Sequence, residues 1–440
     1  MDPVMLSRIQ FGLAAGFHFI FPASTFGLTL LILILETLYL KSREEVYKDS
    51  SAFFVKILGL VFVMGIASGV VLEFAFGTNW AQYSRFVGDI FGVPLAAEGI
   101  FSFFLESVFM SILLFGRNKV SKKVYWLSAF LVFFGAHLSG LFILIANSWM
   151  QTPDGFKIEG GRAVLTSISH AALNHSTVIR FIHSIIAGWI TGSLLAAGIG
   201  AWYLRRKLHV ETAKVCLKIA LIIFIITSLV QLLTGHSHSV QVGLTQPEKM
   251  AAYEALWQTT KGAPLSLFGI PDESRQKTYL FVGVPKMLSF LIHFNFNAKV
   301  AGLNEFPKDE QPPVLLPFAS YHIMIGLGML FIAISLLGAY LLMTKKIWDA
   351  RWYLLVLICS IPFPYIANEF GWMATEIGRQ PWAVYRVLKI ANAASVSVPA
   401  WQILFSLIMF AVIYIFLLWV FIYVLVKLIK KGPGEVSEGY

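Results

Sequence analysis

Charge and cysteine are both scarce in this sequence. Only 13% of its 440 residues are charged, whereas a soluble domain carries about 25%, and 57% are hydrophobic. These proportions exclude a soluble globular enzyme, a disordered chain and a nucleic-acid-binding protein. The two cysteines, Cys216 and Cys359, lie in apolar runs, so we expect neither a disulfide framework nor a zinc cluster.

The chain is instead rich in apolar stretches long enough to cross a bilayer, which takes about 20 residues in a helix. The sequence therefore predicts an all-α integral membrane protein built as a bundle of nine transmembrane helices. The predicted spans, numbered 1 to 9, cover residues 11–40, 53–76, 94–116, 124–147, 178–203, 213–235, 315–343, 353–375 and 401–428.

Lysine and arginine are concentrated in alternate connections between these spans. The positive-inside rule places such connections in the cytoplasm, so we expect the N-terminus outside and the C-terminus in the cytoplasm. The basic set comprises Lys41, Arg43, Lys48, Arg117, Lys119, Lys122, Lys123, Arg205, Arg206, Lys207, Lys345, Lys346, Arg351, Lys427, Lys430 and Lys431. The chain then divides into spans 1–6 within residues 1–235, an outer segment at 236–314, spans 7–9 within residues 315–431, and a cytoplasmic tail at 432–440.

The outer segment contains one clear helical pattern. The stretch from Pro247 to Trp257 is expected to form a short amphipathic helix, with proline suited to its first position. Met250, Tyr253 and Trp257 recur at helical spacing and should share one side.

Several spans contain side chains that a bilayer disfavours, and such residues are functional candidates. We expect five groups from five helices to lie within about two turns of the outer ends, at 1.5 Å of rise per residue. They are His18, Glu98, His183 and Glu376, together with Met324, which is apolar but can ligate haem iron. Imidazole, thioether and carboxylate together suit haem iron, and the absence of a CxxCH motif means that any haem is held without thioether links. On spacing alone, helix–helix hydrogen bonding by single histidines and a cation or proton transporter stay open as alternatives.

Other polar positions are weaker candidates. Glu98 and Glu106 are eight residues apart on one broad side of a helix, and Glu106 and His137 fall near mid-membrane, which suits a proton path or else unrelated packing groups. His236 and His238 follow span 6 and are expected at a solvated interface rather than in a metal site.

Several motifs resemble subunit I of the cytochrome bd quinol oxidases, and the resemblance runs from span 1 to span 9. Gly378-Arg-Gln-Pro-Trp382 is the most recognisable of them. The others are Phe76-Gly-Thr-Asn-Trp80, Val87-Gly-Asp-Ile-Phe-Gly92, Ala97-Glu-Gly99 and Ala146-Asn-Ser-Trp-Met-Gln151.

The resemblance implies a set of haem ligands. His18 matches the axial ligand of one of two high-spin haems, and Glu376 matches the carboxylate ligand of the other. His183 and Met324 match the ligand pair of a low-spin haem b. The implied cofactors are thus a low-spin haem b, a high-spin haem b, and either haem d or a third haem b.

The resemblance also assigns residues around those haems. Glu98 matches a glutamate at the oxygen-reducing haem, and Glu106 matches the proton-path glutamate. Lys249 and Glu254 match residues tied to quinol oxidation in the outer segment. The remaining implied cofactor-binding residues are Arg379 and Trp372, although Trp372 could also belong to the interfacial aromatic belt.

The implied activity is oxidation of ubiquinol or menaquinol at the outer face and reduction of O₂ to water with cytoplasmic protons, electrogenic without a proton pump. The implied setting is a bacterial or archaeal cell membrane, with a second large membrane subunit (subunit II), with or without a small accessory subunit, and no nucleic acid. One departure stands out, because His322 occupies the place of an arginine that members of the family carry two residues before the methionine. The alternative is a non-catalytic multi-haem electron-transfer subunit or a transporter.

Overall fold

A computed structural model describes residues 2–434, so residues 435–440 of the expected tail lie outside the described part. Its helices and strands, in chain order, are α1 (Pro3–Ser42), α2 (Glu45–Thr78), α3 (Ala81–Ala97), α4 (Phe104–Phe115), α5 (Lys122–Gln151), β1 (Phe156–Glu159), β2 (Arg162–Leu165), α6 (Ile168–Ala172), α7 (Thr177–Arg206), α8 (Val210–Thr245), α9 (Pro247–Tyr253), β3 (Thr260–Lys261), β4 (Leu265–Asp272), β5 (Lys277–Val284), α10 (Met287–His293), β6 (Lys299–Val300), α11 (Leu315–Met343), α12 (Arg351–Cys359), α13 (Phe363–Ile377), β7 (Trp382–Val384), β8 (Leu388–Lys389) and α14 (Ala400–Lys431).

Within residues 2–434, nine helical stretches are long and apolar enough to cross a membrane, which confirms the predicted number of spans. The third stretch, Ala81–Phe115, is a composite, because a π-helical segment at Glu98–Phe103 joins α3 to α4. The eighth, Arg351–Ile377, is bent between α12 and α13, where Pro362 and Pro364 interrupt the helical hydrogen bonds.

The main apolar core lies between α1, α2, α7 and α8. Small residues allow the closest approach, since a side chain at Gly27 of α1 would meet the backbone of Gly192 in α7 at 2.6 Å. By contrast, α14 leaves most of its apolar surface uncovered, as expected of a helix that faces lipid or a partner.

Three helix boundaries differ from the expected spans in ways that affect the candidate site. α1 begins at Pro3 instead of residue 11, and the third stretch begins at Ala81 instead of 94. α8 continues past residue 235 to Thr245, so the first ten residues of the expected outer segment are helical. The polar histidine motif after span 6 is helical and does not break the pattern of backbone bonds.

The strands form four two-stranded antiparallel sheets, each outside the spanning helices. The largest is the β4–β5 hairpin, in which Phe268 lies opposite Val282 and Ile270 lies opposite Tyr279. Together with α9 and α10, this hairpin makes up about half of the segment at 246–314, which covers one end of the bundle. We call that end the loop side.

Candidate functional site

Glu376 lies in the last turn of α13, at the loop side, and is surrounded by hydrogen-bond donors. Asn147 and Gln151 of α5 donate to its Oε1 at 3.2 and 3.4 Å, and Arg379 forms an ion pair with its Oε2. Because Arg379 is itself buried, this pairing favours the charged carboxylate, which is the form that binds iron.

Arg180 is a second buried cation in this network, and the sequence analysis did not identify it. Its guanidinium donates to Asn147 Oδ1 at 2.5 Å and to Ser148 Oγ at 3.3 Å, and it lies 5.8 Å from the ring of Trp372. An arginine in the first turn of an apolar helix, three residues before His183, is the signal that could have revealed it.

His18 projects from α1 towards α2, where its Nδ1 lies 3.0 Å from the hydroxyl of Ser68. That hydroxyl donates its one hydrogen to Met64 O at 2.8 Å, so it accepts from His18 Nδ1–H. The imidazole is therefore held with a lone pair on Nε2, the arrangement that a haem ligand requires.

His18 and Glu98 lie further from the starts of their helices than expected. Because α1 begins at Pro3, His18 lies about 22 Å along that helix instead of within two turns of its end. Glu98, in the π-helical segment, is similarly far from the start of α3. The helix of His18 nonetheless packs against α13, since Phe19 contacts Trp372 with ring centroids 5.3 Å apart.

His183 shows the same kind of orientation. Its Nδ1 lies 3.3 Å from Thr234 Oγ1, and Thr234 donates to the carbonyl of Gln231 at 3.2 Å, so Nδ1 carries the hydrogen. Nε2 lies 3.3 Å from the amide nitrogen of Gln231, which can donate to its lone pair. His238 lies next to this ring, with centroids 5.5 Å apart, so the expectation of a solvated interface at His238 is wrong.

Met324 projects from α11 towards α13, where a Cβ placed on Gly371 would lie 2.9 Å from its sulfur. Gly371 directly precedes Trp372, whose ring lies near Arg180 of α7, so α13 connects the helix of Met324 to the helix of His183. The helices of both candidate ligands of the low-spin haem thus pack against α13.

Two other histidines have no nitrogen left for a metal. The ring nitrogens of His137 contact Phe133 O at 2.7 Å and Trp189 Nε1 at 2.9 Å. Those of His322 lie 2.8 Å from Phe318 O and 3.0 Å from Ser266 O. These histidines connect structural elements, and His137 packs on α1 and α7, away from Glu106.

Helix α5 arranges three carboxylates in a file. Along it, Asn147 contacts Glu376, Ser139 donates to Glu98 at 2.8 Å, and Gly135 lies against the backbone of Glu106. The contact positions are separated by about 12 and 6 Å at the usual helical rise. Glu98 and Glu106 thus share one side of their helix, as expected, and the π-helical segment between them is a feature common at functional sites.

The predicted helix in the outer segment is shorter than expected and fully buried. It ends at Tyr253, and Lys249 and Glu254 are only 2% and 3% exposed, so they do not form a solvated pair. The two side chains point in different directions. Lys249 Nζ donates to Gln151 Oε1 at 2.7 Å and to Gln246 Oε1 at 3.1 Å, whereas Glu254 Oε2 accepts from the backbone N–H of Ser266 at 2.7 Å.

Burial changes the acid–base properties of both residues. It raises the pKa of the Glu254 carboxyl to about 7, against the opposing effect of the Ser266 hydrogen bonds. It holds the pKa of the Lys249 ammonium well below its ordinary value, with Arg180 adding to the effect. Oε1 of Glu254 is buried and has no hydrogen-bond partner among the described residues. Glu254 therefore presents a free acceptor whose charge changes near neutral pH.

The residues of the loop side fit a haem group in three respects. Buried donors without partners in residues 2–434, Nε of Arg379 and Nε1 of Trp382, suit the carboxylate side chains of a haem. Gly326 and Gly328, just after Met324, have no atom within 4 Å of where a side chain would begin, which leaves room for a flat ring. Finally, no three His, Cys, Asp or Glu side chains in the described residues converge as a bare metal ion would need, and the candidate iron ligands come singly or in pairs.

Comparison with known proteins supports this interpretation. The sequence profile of the family described as cytochrome bd terminal oxidase subunit I matches residues 6–433. Cytochrome bd ubiquinol oxidase subunit 1 of Bacillus subtilis is 38% identical over 98% of this chain and 94% of its own length. Cytochrome bd-II ubiquinol oxidase subunit 1 of Escherichia coli is 33% identical over 99% of this chain and 98% of its own length. A putative cytochrome bd menaquinol oxidase subunit I of Bacillus subtilis is 31% identical over 99% of this chain and 98% of its own length.

A solved structure is also similar. The bd oxidase of Geobacillus thermodenitrificans superposes with a TM-score of 0.91 and 28% identity, over 98% of this chain and 99% of that one.

Proposed function

Because the chain belongs to the cytochrome bd terminal oxidase subunit I family, a haem-containing family of multi-pass membrane proteins, we propose a specific division of labour among its residues. The chain is the catalytic subunit of a terminal quinol oxidase. We propose that it oxidises quinol at the loop side, which the distribution of lysine and arginine places outside the cell. Reduction of O₂ to water takes protons from the cytoplasm, so turnover charges the membrane without a pump.

The proposed haem ligands are His18 for one high-spin haem, Glu376 for the other, and His183 with Met324 for a low-spin haem b. The hydroxyl contacts that hold both histidines with Nε2 unprotonated support this assignment. The cofactors are then a low-spin haem b, a high-spin haem b, and haem d or a third haem b. When bound, they carry electrons from quinol and offer O₂ an open iron position.

Glu254 is the proposed proton acceptor for quinol. The observation that carries this role is its buried, unpartnered Oε1, held in place because Ser266 fixes the other oxygen. A carboxylate with a pKa of about 7 can take a hydroxyl proton and then release it, which is what a general base requires. The names of the relatives include both ubiquinol and menaquinol oxidases, and we propose one of these two quinols as substrate.

Lys249 has a different proposed role. Through Gln151 it is connected to Glu376, since Gln151 accepts from Lys249 and donates to Glu376. We propose that Lys249 orients a quinone oxygen or the segment itself relative to the carboxylate ligand, with Arg379, Arg180 and Trp372 fixing the other side of that ligand.

Glu106 and Glu98 are the proposed proton path. Both face α5 on the way from mid-membrane towards Glu376, and both lie in an otherwise apolar helix. Their carboxyl groups would pass protons from the cytoplasmic side towards Glu376 along this row.

The partner proposed for the uncovered apolar surface is a second large membrane subunit, subunit II, with or without a small accessory subunit, within the lipid bilayer. The large uncovered surface of α14 is consistent with either neighbour.

The test of the function as a whole is a reduced-minus-oxidised spectrum of membranes that contain the chain, combined with quinol-dependent O₂ uptake. We expect haem b bands, a band further to the red if haem d is present, and O₂ uptake that depends on quinol. Bands without quinol-dependent uptake would indicate a non-catalytic electron-transfer subunit, and no bands would leave only a transporter.

A further inference from the structure

The β4–β5 hairpin exposes an apolar surface that the proposed reaction does not explain. Phe268 and Val282, which lie opposite each other, are each 55% exposed, and Leu280 is 70% exposed. The other exposed large apolar side chains of the hairpin are Leu267, Ile270 and Phe281. All charged residues of the hairpin lie between Asp272 and Lys277, at its turn. Exposure of such an apolar surface to water is energetically unfavourable.

The hairpin runs alongside the first turns of α11. At its base, Ser266 O lies 3.0 Å from His322 Nε2, and further along, a side chain at Gly269 would lie 3.5 Å from Phe318. At its turn, Glu273 Oε1 accepts from the backbone N–H groups of Val314 and Leu315 at 2.8 and 3.1 Å. The hairpin therefore spans about 10 Å along a transmembrane helix, from its first residue to His322, two residues before Met324.

Along α11, the hairpin changes from charged to apolar in the direction that leads into the membrane. The charged turn lies where α11 begins, and the apolar strands lie beside the part of α11 that enters the membrane. The exposed side chains of α11, Leu315, Leu316, Ile323 and Ile325, continue the apolar surface along the same helix. A gradient from charged to apolar across one to two turns matches the boundary between headgroups and acyl chains.

We propose that the β4–β5 hairpin is embedded in the interfacial layer of the bilayer and forms the lipid-facing wall past which the apolar tail of quinol reaches Glu254. The inference rests on the proposed function and adds the route of the substrate. It follows from the double role of β4, whose exposed side chains contact lipid while Ser266, at its base, holds Glu254. Quinol then enters from the membrane, and its head meets Glu254 Oε1 without crossing water.

The contact with lipid can be measured with spin labels. Cys216 is buried, so a Cys359→Ala background leaves an introduced cysteine as the accessible label site. Phe268→Cys and, as a matched control at the turn, Lys277→Cys would be labelled in nanodiscs of phosphatidylethanolamine and phosphatidylglycerol. We expect the label at 268 to be relaxed more by O₂ than by a water-soluble nickel complex, and the label at 277 to show the reverse. A label at 268 that is accessible to the nickel complex, or shielded from both reagents by a protein, would overturn the proposal.

The route can be tested with two quinols that share a head group and differ in tail length. For Phe268→Gln, we expect the ratio of the long-tail KM to the short-tail KM to rise about five- to tenfold, because one apolar contact with the tail is lost. Arg275→Gln, at the turn, should leave that ratio unchanged. An equal rise in both KM values for Phe268→Gln would refute the route, whereas absence of any quinol-dependent O₂ uptake in the unmodified protein would refute the proposed function itself. An unchanged low-spin haem spectrum in each variant shows that the fold is retained.

Discussion

Replacement of Glu254 by glutamine tests the quinol site most directly. The amide keeps the size of the side chain. Its oxygen can still accept the hydrogen bond from the Ser266 N–H, which the carboxylate of the unmodified chain accepts at 2.7 Å. It cannot take a proton from quinol. Loss of a general base costs about 10²- to 10⁴-fold in rate, or about 3–5 kcal/mol in the barrier. We expect kcat with quinol to fall by this amount while the haem spectra stay unchanged.

The pH profile gives an independent measure of the same role. Since burial raises the pKa of Glu254 to about 7, about 10% of the groups are deprotonated at pH 6 and about 90% at pH 8. The deprotonated form is the base, so the rate with quinol should be lost as the pH falls through 7, and Glu254→Gln should abolish this limb.

The assay compares O₂ uptake from quinol with O₂ uptake from an artificial donor that bypasses the loop side, each from pH 5.5 to 8.5. Only the quinol reaction should depend on Glu254. If the variant loses both reactions equally, or if the acid limb persists in it, Glu254 is not the base.

Two further substitutions test the interior of the bundle. Glu106→Gln should retain the haems while O₂ turnover falls by about tenfold or more. His137→Ala should change turnover per assembled enzyme much less, because both ring nitrogens of His137 are engaged in structural contacts. Turnover and haem content of the purified variants measure this, and equal effects of the two substitutions would show that Glu106 has only a packing role. Met324→Leu preserves the volume and apolar character of the side chain, so the high-spin haems should stay while the low-spin haem b signal is altered or lost and its potential falls. An unchanged low-spin spectrum and potential would show that Met324 is not a ligand. His322 cannot take its place as a ligand without breaking its contacts with two backbone carbonyls.

The spanning helices could be predicted from the sequence because the bilayer imposes a length and a polarity that each span must meet by itself. The ends of the helices could not be predicted in the same way. α1 and α8 continue well beyond the hydrophobic part, to Pro3 and Thr245, because packing against neighbours stabilises turns that hydropathy does not mark. For this reason His18 lies further from the start of its helix than the apolar runs suggested. His238 likewise lies in a more buried position than expected.

The candidate ligands could be identified from their residue types and from family motifs, but their surroundings depend on tertiary contacts. Arg180 lies outside all the motifs named above. It bonds to Asn147 only because α5 and α7 pack against each other near these two residues. Asn147 and Gln151 do lie in a motif, yet their target, Glu376, is more than two hundred residues away in the chain. A contact between residues this far apart in the chain cannot be predicted from a local sequence pattern.

Lys249 lies in the first turn of α9 and Glu254 directly follows its last residue, and their opposite orientations allow one buried helix to hold both ionisable groups. α9 packs mainly against α8 and α11. In addition, a side chain at Gly378, just after α13, would lie 3.1 Å from Lys249, and Ser266 of β4 holds Glu254. Because α9 is too short to be stable alone, its position is set by these surroundings. A shift of the hairpin in the membrane would therefore move Glu254 and, through the same helix, the bond from Lys249 to Gln151. Under the proposed function, quinol bound at Glu254 would therefore be coupled to the hydrogen bonds around Glu376 through Lys249 and Gln151.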